Sequence, residues 1–194
     1  MSADATAADV WLLPPRERVG VACLIAAESA MFIIFVVAYL FYLGKSASGP
    51  TPQQVLTMPI LGTVCLLSSS ATIAVAVRAL RRGSIRAFAA AWAATIGLGV
   101  VFMVGTGREW SRLIVEEKLT PATNLFGTTY YALVGLHALH VTVGLILLTT
   151  VLVFALVGAV SRDQAGRVDA LALYWHFVDA VWVVVFTTVY VIGR

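Results

Sequence analysis

The sequence predicts an all-α integral membrane protein, a bundle of five transmembrane helices. Of its 194 residues, 60% are apolar and only 12% are charged, whereas soluble domains are about half apolar and about a quarter charged. The apolar residues lie in five long runs, each long enough to supply the ~20 residues that cross a ~30 Å hydrocarbon layer. Polar segments separate these runs. We therefore expect a lipid bilayer to be the solvent in which this chain folds.

Polar or helix-breaking residues bound each run. The stretch 1–17, with Pro14 and Pro15, is interpreted as a cytoplasmic lead-in to the first span. A loop containing Pro50 and Pro52 separates the first two runs, and four arginines separate the second from the third. The predicted spans are 19–43, 58–80, 87–106, 126–160 and 168–193. The fourth is longer than one bilayer is thick and should tilt or protrude.

The stretch 107–124 between the third and fourth spans carries too many charges to cross a membrane. Trp110 and Leu113 can share one helical face, and Arg112 and Glu116 stand four residues apart, where opposite charges attract on a helix. This pattern predicts a short helix in the membrane interface.

The positions of lysine and arginine predict the orientation. With the N-terminus in the cytoplasm, eight arginines face inward and five basic residues face outward, in line with the positive-inside rule. The contrast is sharpest between the four arginines at 78–86 and the single Lys45 of the first loop. Because the basic residues lie in loops and the net charge is only +3, we expect no nucleic-acid partner.

Ionisable side chains within the spans are the candidate functional residues, because a charged group at the bilayer centre costs ~2.5–3.5 kcal/mol on translocon scales. At ~1.5 Å per residue, Glu28 and Asp179 lie ~15 Å from the cytoplasmic edge, with His140 at a similar level. We expect these three side chains to converge. The full set is Glu28, His137, His140, His176 and Asp179.

Each candidate also has a purely structural interpretation. Glu28 could be a neutral, hydrogen-bonded carboxyl rather than a proton-access or lipid-contact group, and the histidines could be hydrogen bonds between helices. Asp179, flanked by Trp175 and Trp182, is expected to pair with a histidine or an indole N–H. Metal ligation by the pair of histidines at 137 and 140 lacks third and fourth ligands.

The two cysteines fall in different spans. Cys23 and Cys65 are estimated to lie ~10 Å apart in depth, which is too far for a disulfide. We expect two buried, inert thiols.

Four motifs carry a family resemblance. Residues 174–182 read YWHFVDAVW, which resembles the YWHFVDxVW signature of subunit III of haem-copper terminal oxidases. Residues 135–144 read GLHALHVTVG and resemble that family's GxHGLHVxxG, with Ala138 at a position that is usually glycine. Residues 28–32 resemble the family's SE-x-x-x-F helix, although alanine precedes the glutamate, and 107–110 resemble a looser form of its QxxEY segment.

The resemblance covers 18–194 and implies the five-helix form of subunit III, which lacks two N-terminal helices of longer members. It implies an accessory subunit of a proton-pumping oxidase, of the cytochrome c oxidase type, in a bacterial plasma membrane. Such a subunit packs against subunit I in a complex with subunit II. It holds phospholipids in a cleft and supports proton uptake and durability while oxygen is reduced to water. Membership of a larger respiratory supercomplex stays open.

The resemblance also assigns residue roles. Glu28 matches the family's carbodiimide-reactive carboxylate, and no residue matches a catalytic group. The remaining positions line the bundle or its lipid cleft: His137, His140, His176, Asp179, Trp175, Trp182 and Glu109. No cofactor is implied in this chain, with the haems and copper in partner subunits.

The histidine count indicates, independently of the resemblance, that this chain cannot hold a haem-copper core alone. A haem-copper core needs several axial and copper-binding histidines, and this chain has three in all. Three alternatives stay open. The chain could belong to a quinol oxidase or nitric oxide reductase cluster, could be a lipid-binding scaffold, or could be a small proton-coupled transporter, although it has no inverted repeat.

Overall fold

Long apolar runs fold as helices in a bilayer because each backbone N–H and C=O must be satisfied within its own segment. The computed structural model describes residues 16–46 and 48–194, so most of the predicted lead-in 1–17 lies outside the described residues. The helices are α1 Arg16–Tyr42, α2 Pro52–Val55, α3 Ile60–Arg81, α4 Ile85–Val115, α5 Leu125–Leu156 and α6 Ala165–Phe186. A 3-10 turn, Arg162–Gln164, precedes α6, and a π-helical turn, Thr187–Ile192, continues it.

Five helices of the described chain are long and apolar enough to cross a membrane, which confirms the predicted fold class. They are α1, α3, α4, α5 and the continuous segment Arg162–Ile192 that contains α6. Helix α5 ends at Leu156 rather than near 160, because Gly158 adopts a left-handed φ of 77°. Glycine takes up this conformation without the strain that a Cβ would cause.

Helix α4 differs most from the prediction. It continues without a break to Val115, so the separate interfacial helix predicted within 107–124 is wrong. The charged residues of this stretch extend the third span's helix beyond its apolar part, and no proline interrupts it. Arg112 lies 3.7 Å from Glu117 rather than pairing with Glu116.

Helix α6 is the centre of the bundle. It contacts α1, α3 and α5 and is the most buried of the five spans. Helices α3 and α4 form a close antiparallel pair joined by a tight turn at Gly83, where φ is 78°. Trp92 links α4 to α5, since its indole N–H donates a hydrogen bond to the carbonyl of Leu148 at 2.8 Å.

Helix α1 lies at the edge of the bundle, on the groove between α5 and α6. Phe32 and Tyr39 point inward and are buried, whereas Ile33 and Ile34 are exposed. Both cysteines are free, as expected, but Cys23 is exposed. Cys65 is half-buried, so the expectation that both thiols are buried is wrong.

Candidate functional site

A carboxyl–imidazole pair joins α1 to α5. Glu28 Oε2 lies 3.1 Å from His140 Nε2, and the other ring nitrogen, Nδ1, lies 2.8 Å from the carbonyl oxygen of Leu136. A carbonyl can only accept, so Nδ1 carries a hydrogen. The contact between Nε2 and Oε2 therefore holds one further proton, which resides either on the imidazole or on the carboxyl. This pair can hold and exchange a single proton.

The pair is held in place by its neighbours. The ring of Phe32 lies 5.0 Å from that of His140, and Tyr174 Oη donates to the backbone carbonyl of His140 at 3.2 Å. The Glu28 and His140 side chains keep 23% and 12% exposure. They are thus fixed in orientation but reachable from outside the bundle.

An apolar cleft opens beside this pair. It lies between α1, α5 and α6 and has a volume of about 690 Å³, within the usual range of ligand pockets. Leu24, Leu139 and Val143 are among its apolar walls, and Glu17 and Arg167 line the end at which α1 and α6 begin. The cleft thus offers a ligand a long apolar wall, charged side chains at one end, and the Glu28–His140 pair midway along it.

Asp179 belongs to a different polar cluster, between α3 and α6. Ser70 donates its hydroxyl hydrogen to Asp179 Oδ2, and Ser70 Oγ lies 3.0 Å from His176 Nδ1. The hydroxyl has one hydrogen, so Nδ1–H of His176 donates to Oγ. The expected direct pairing of Asp179 with a histidine or an indole is wrong. The Ser70 hydroxyl lies between the side chains of Asp179 and His176.

The indoles beside Asp179 also bond to α3. Trp175 Nε1 donates to Ser69 Oγ at 2.8 Å, and Trp182 Nε1 donates to Thr63 Oγ1 at 3.1 Å. These α3 hydroxyls are the partners that sequence reasoning missed. The run of serines at 68–70 within an apolar span was the available signal.

The expected convergence of three side chains is therefore only partly correct. The structure brings Glu28 and His140 together, but in the described chain Asp179 forms no hydrogen bond with either. Depth along the membrane normal follows from residue spacing, whereas the direction in which a side chain points follows from helix packing. The bundle therefore has two separate polar sites at similar depth, one at Glu28 and His140 and the other at Asp179.

His137 lies in the aromatic interior. It is fully buried, stacks on Trp182 with ring centroids 5.0 Å apart, and meets the ring of Phe102 edge-on at 5.8 Å. Neither ring nitrogen has a hydrogen-bond partner among the described residues. The hydrogen-bond interpretation thus fits His140 and His176 but is wrong for His137. Over 16–46 and 48–194, no three His, Cys, Asp or Glu side chains form a group that could hold a metal ion.

Glu109 lies apart from the cleft beside Glu28. Its Oε2 accepts a hydrogen bond from Tyr190 at 3.0 Å, and the Tyr190 hydroxyl lies 3.3 Å from that of Tyr130. Tyr190 is in the π-helical turn, and such turns often occur at functional sites. Sequence reasoning did not identify the two tyrosines, because nothing in the sequence marks the local change of helix type in which Tyr190 lies.

Comparison with known proteins bears on the whole chain. A family model described as cytochrome c oxidase subunit III matches residues 17–194. Cytochrome c oxidase subunit 3 of Synechocystis sp. is 37% identical over 92% of this chain and 77% of that protein. Cytochrome bo(3) ubiquinol oxidase subunit 3 of Pseudomonas aeruginosa is 30% identical over 86% and 80%. Quinol oxidase subunit 3 of Bacillus subtilis is 29% identical over 87% and 83%. The chain is thus a multi-pass membrane protein that associates with other oxidase subunits, and it belongs to the cytochrome c oxidase subunit III family.

Proposed function

We propose that this accessory subunit binds a phospholipid in the cleft between α1, α5 and α6, and that the Glu28–His140 pair at its wall sustains proton uptake by the catalytic subunit. The observation that carries this proposal is the 3.1 Å contact between Glu28 and His140 beside an apolar cleft. A pair that holds one exchangeable proton in a water-poor region can buffer proton supply without any redox chemistry.

The charged end of the cleft supports a lipid as the occupant. Arg167 can bind a phosphate, and the apolar walls beyond it can take an acyl chain. With the N-terminus in the cytoplasm, this end faces the inner leaflet of a bacterial plasma membrane. A lipid seated there would exclude water from Glu28 and limit the routes by which its proton leaves.

The redox chemistry takes place in partner chains. We assign the haems and copper to subunits I and II, with subunit I as the main contact, and assign no catalytic residue here. Three histidines are too few for a haem-copper core, and His140 and His176 hydrogen-bond to Glu28 and Ser70. Family membership favours this role over that of an independent proton-coupled transporter.

Glu28→Gln in the intact oxidase tests the proposal. Glutamine keeps the side-chain size but cannot take part in proton exchange. We expect unchanged haem spectra, little change in the initial rate, and fewer turnovers before activity is lost. The control is Glu116→Gln, an exposed glutamate just beyond α4, which should behave as wild type. An unchanged number of turnovers in Glu28→Gln would leave only a scaffold role.

The electron donor has two candidates. The relatives named above include one from a cytochrome c oxidase and two from quinol oxidases, so a quinol oxidase is the second candidate. The donor site lies on other subunits. Oxygen uptake by the purified complex with reduced cytochrome c, or with a soluble quinol, decides between them.

A further inference from the structure

We propose a second lipid site, in the groove between α3 and α4, at which Arg108 binds the phosphate of an anionic phospholipid from the outer leaflet. This groove lies away from the cleft beside Glu28, and no lining residue is common to the two. The proposal does not depend on the one made for that cleft.

The groove has the shape that an acyl chain requires. Its volume is about 570 Å³, and Phe102, itself buried, contributes to its lining. Leu61 is 73% exposed and Val101 44% exposed along its sides. Gly105 leaves the groove open at its position, since a Cβ placed there would meet no atom within 4 Å. The apolar walls are thus open along their length to a ligand from the bilayer.

The charged end of the groove lies at headgroup depth. Arg108 follows Ile85, the first residue of α4, by 23 positions, which at ~1.5 Å per residue is ~35 Å. A hydrocarbon layer ~30 Å thick places its guanidinium among the headgroups of the opposite leaflet. Gly105 and Val101 lie progressively deeper, so the groove runs from phosphate level into the acyl region.

Charge favours an anionic occupant. Arg108 and Arg112 stand one turn apart and both line the groove. Arg112 already donates to the carbonyl of Val55, the last residue of α2, at 2.6 Å. Arg108 is exposed and forms no ion pair within the described chain. The one acid in the lining, Glu109, is turned toward Tyr190 at 3.0 Å. A phosphate would therefore meet a positively charged end.

The test is lipid retention by the intact oxidase, purified from membranes containing phosphatidylglycerol and measured by native mass spectrometry. Arg108→Gln should weaken phosphatidylglycerol binding at this site roughly tenfold, as expected for one lost charge-assisted hydrogen bond, and Arg108→Lys should retain most of it. Gly105→Leu should displace the lipid by filling the groove. Gly97→Leu is the matched control, since a Cβ at Gly97 also meets nothing within 4 Å and Gly97 does not line the groove.

Two results would overturn the proposal. One is wild-type phosphatidylglycerol retention in both Arg108→Gln and Gly105→Leu. The other is loss of a partner subunit, with lipid unchanged, in Gly105→Leu, which would make the groove a protein interface. Glu28→Gln should leave lipid at this groove unchanged, so failure here and failure of the proposal for the first cleft are separate outcomes.

Discussion

Trp175 is the residue on which packing at the centre of the bundle depends. Its ring, on α6, would lie 2.8 Å from a Cβ at Gly144 of α5 and 3.1 Å from a Cβ at Gly99 of α4. Its N–H reaches Ser69 of α3. One indole thus touches three other helices. A Cβ at Gly144 would overlap the ring, and a Cβ at Gly99 would lie 2.9 Å from Leu145 Cδ2 as well as close to the ring.

Gly144→Ala should therefore destabilise the subunit. The added methyl must displace the Trp175 ring, and overpacking of this kind costs about 1–3 kcal/mol. A lower temperature of subunit III loss from the purified oxidase would report this cost. Gly97→Ala, at an open position, is the control. Equal melting of the two variants would show that the ring has room to move.

Ser70→Ala should weaken the contact between α3 and α6. It leaves Asp179 Oδ2 and His176 Nδ1 without their shared hydroxyl, and a hydrogen bond in a membrane is worth about 0.6–2 kcal/mol. Ser68→Ala, at the exposed position of the same run, should be neutral in the same thermal assay. If Ser68→Ala is the more harmful change, the assignment of Ser70 as the bridge is wrong.

At the scale of helices, Asp169 ties three elements together near one end of the bundle. It lies on α6 and accepts from Arg18 of α1 and from Arg81 of α3, the latter at 2.8 Å. Both arginines are about half exposed, so each pair contributes little in high salt. The cluster fixes the position of α1, which packs only at the edge of the bundle.

Asp169→Asn should loosen α1 without unfolding the other helices. We expect a loss of about 1 kcal/mol at low ionic strength that shrinks as salt is added, because exposed ion pairs are screened. Faster hydrogen exchange confined to the first turns of α1 would report it. Asp163→Asn, at an exposed residue before α6, is the control. A salt-independent effect would indicate that packing, not charge, is responsible.

The helices also show what sequence can and cannot predict. Five spans follow from hydropathy because a bilayer admits apolar helices and little else. Hydropathy marks where apolar sequence ends rather than where a helix ends. The third span was therefore predicted to end at residue 106, whereas α4 continues to Val115. Residue spacing correctly brought Glu28 and His140 together, but it could not show that Asp179 faces α3, because that direction is set by packing.

At the scale of the whole molecule, the described part of the bundle has much exposed apolar surface. Large apolar residues such as Ile34, Leu61 and Val157 are at least 66% exposed. That surface is stable only against lipid or partner helices. Polar side chains between the helices, such as Ser70, His140 and Asp179, hydrogen-bond to other side chains.

Removal of the whole chain from the oxidase is the most direct test of this account. The purified complex without it should keep the haem spectrum and nearly the full initial rate of oxygen reduction, but should lose activity after fewer turnovers than the complete complex. Loss of haem on removal, or durability equal to that of the complete complex, would contradict the account.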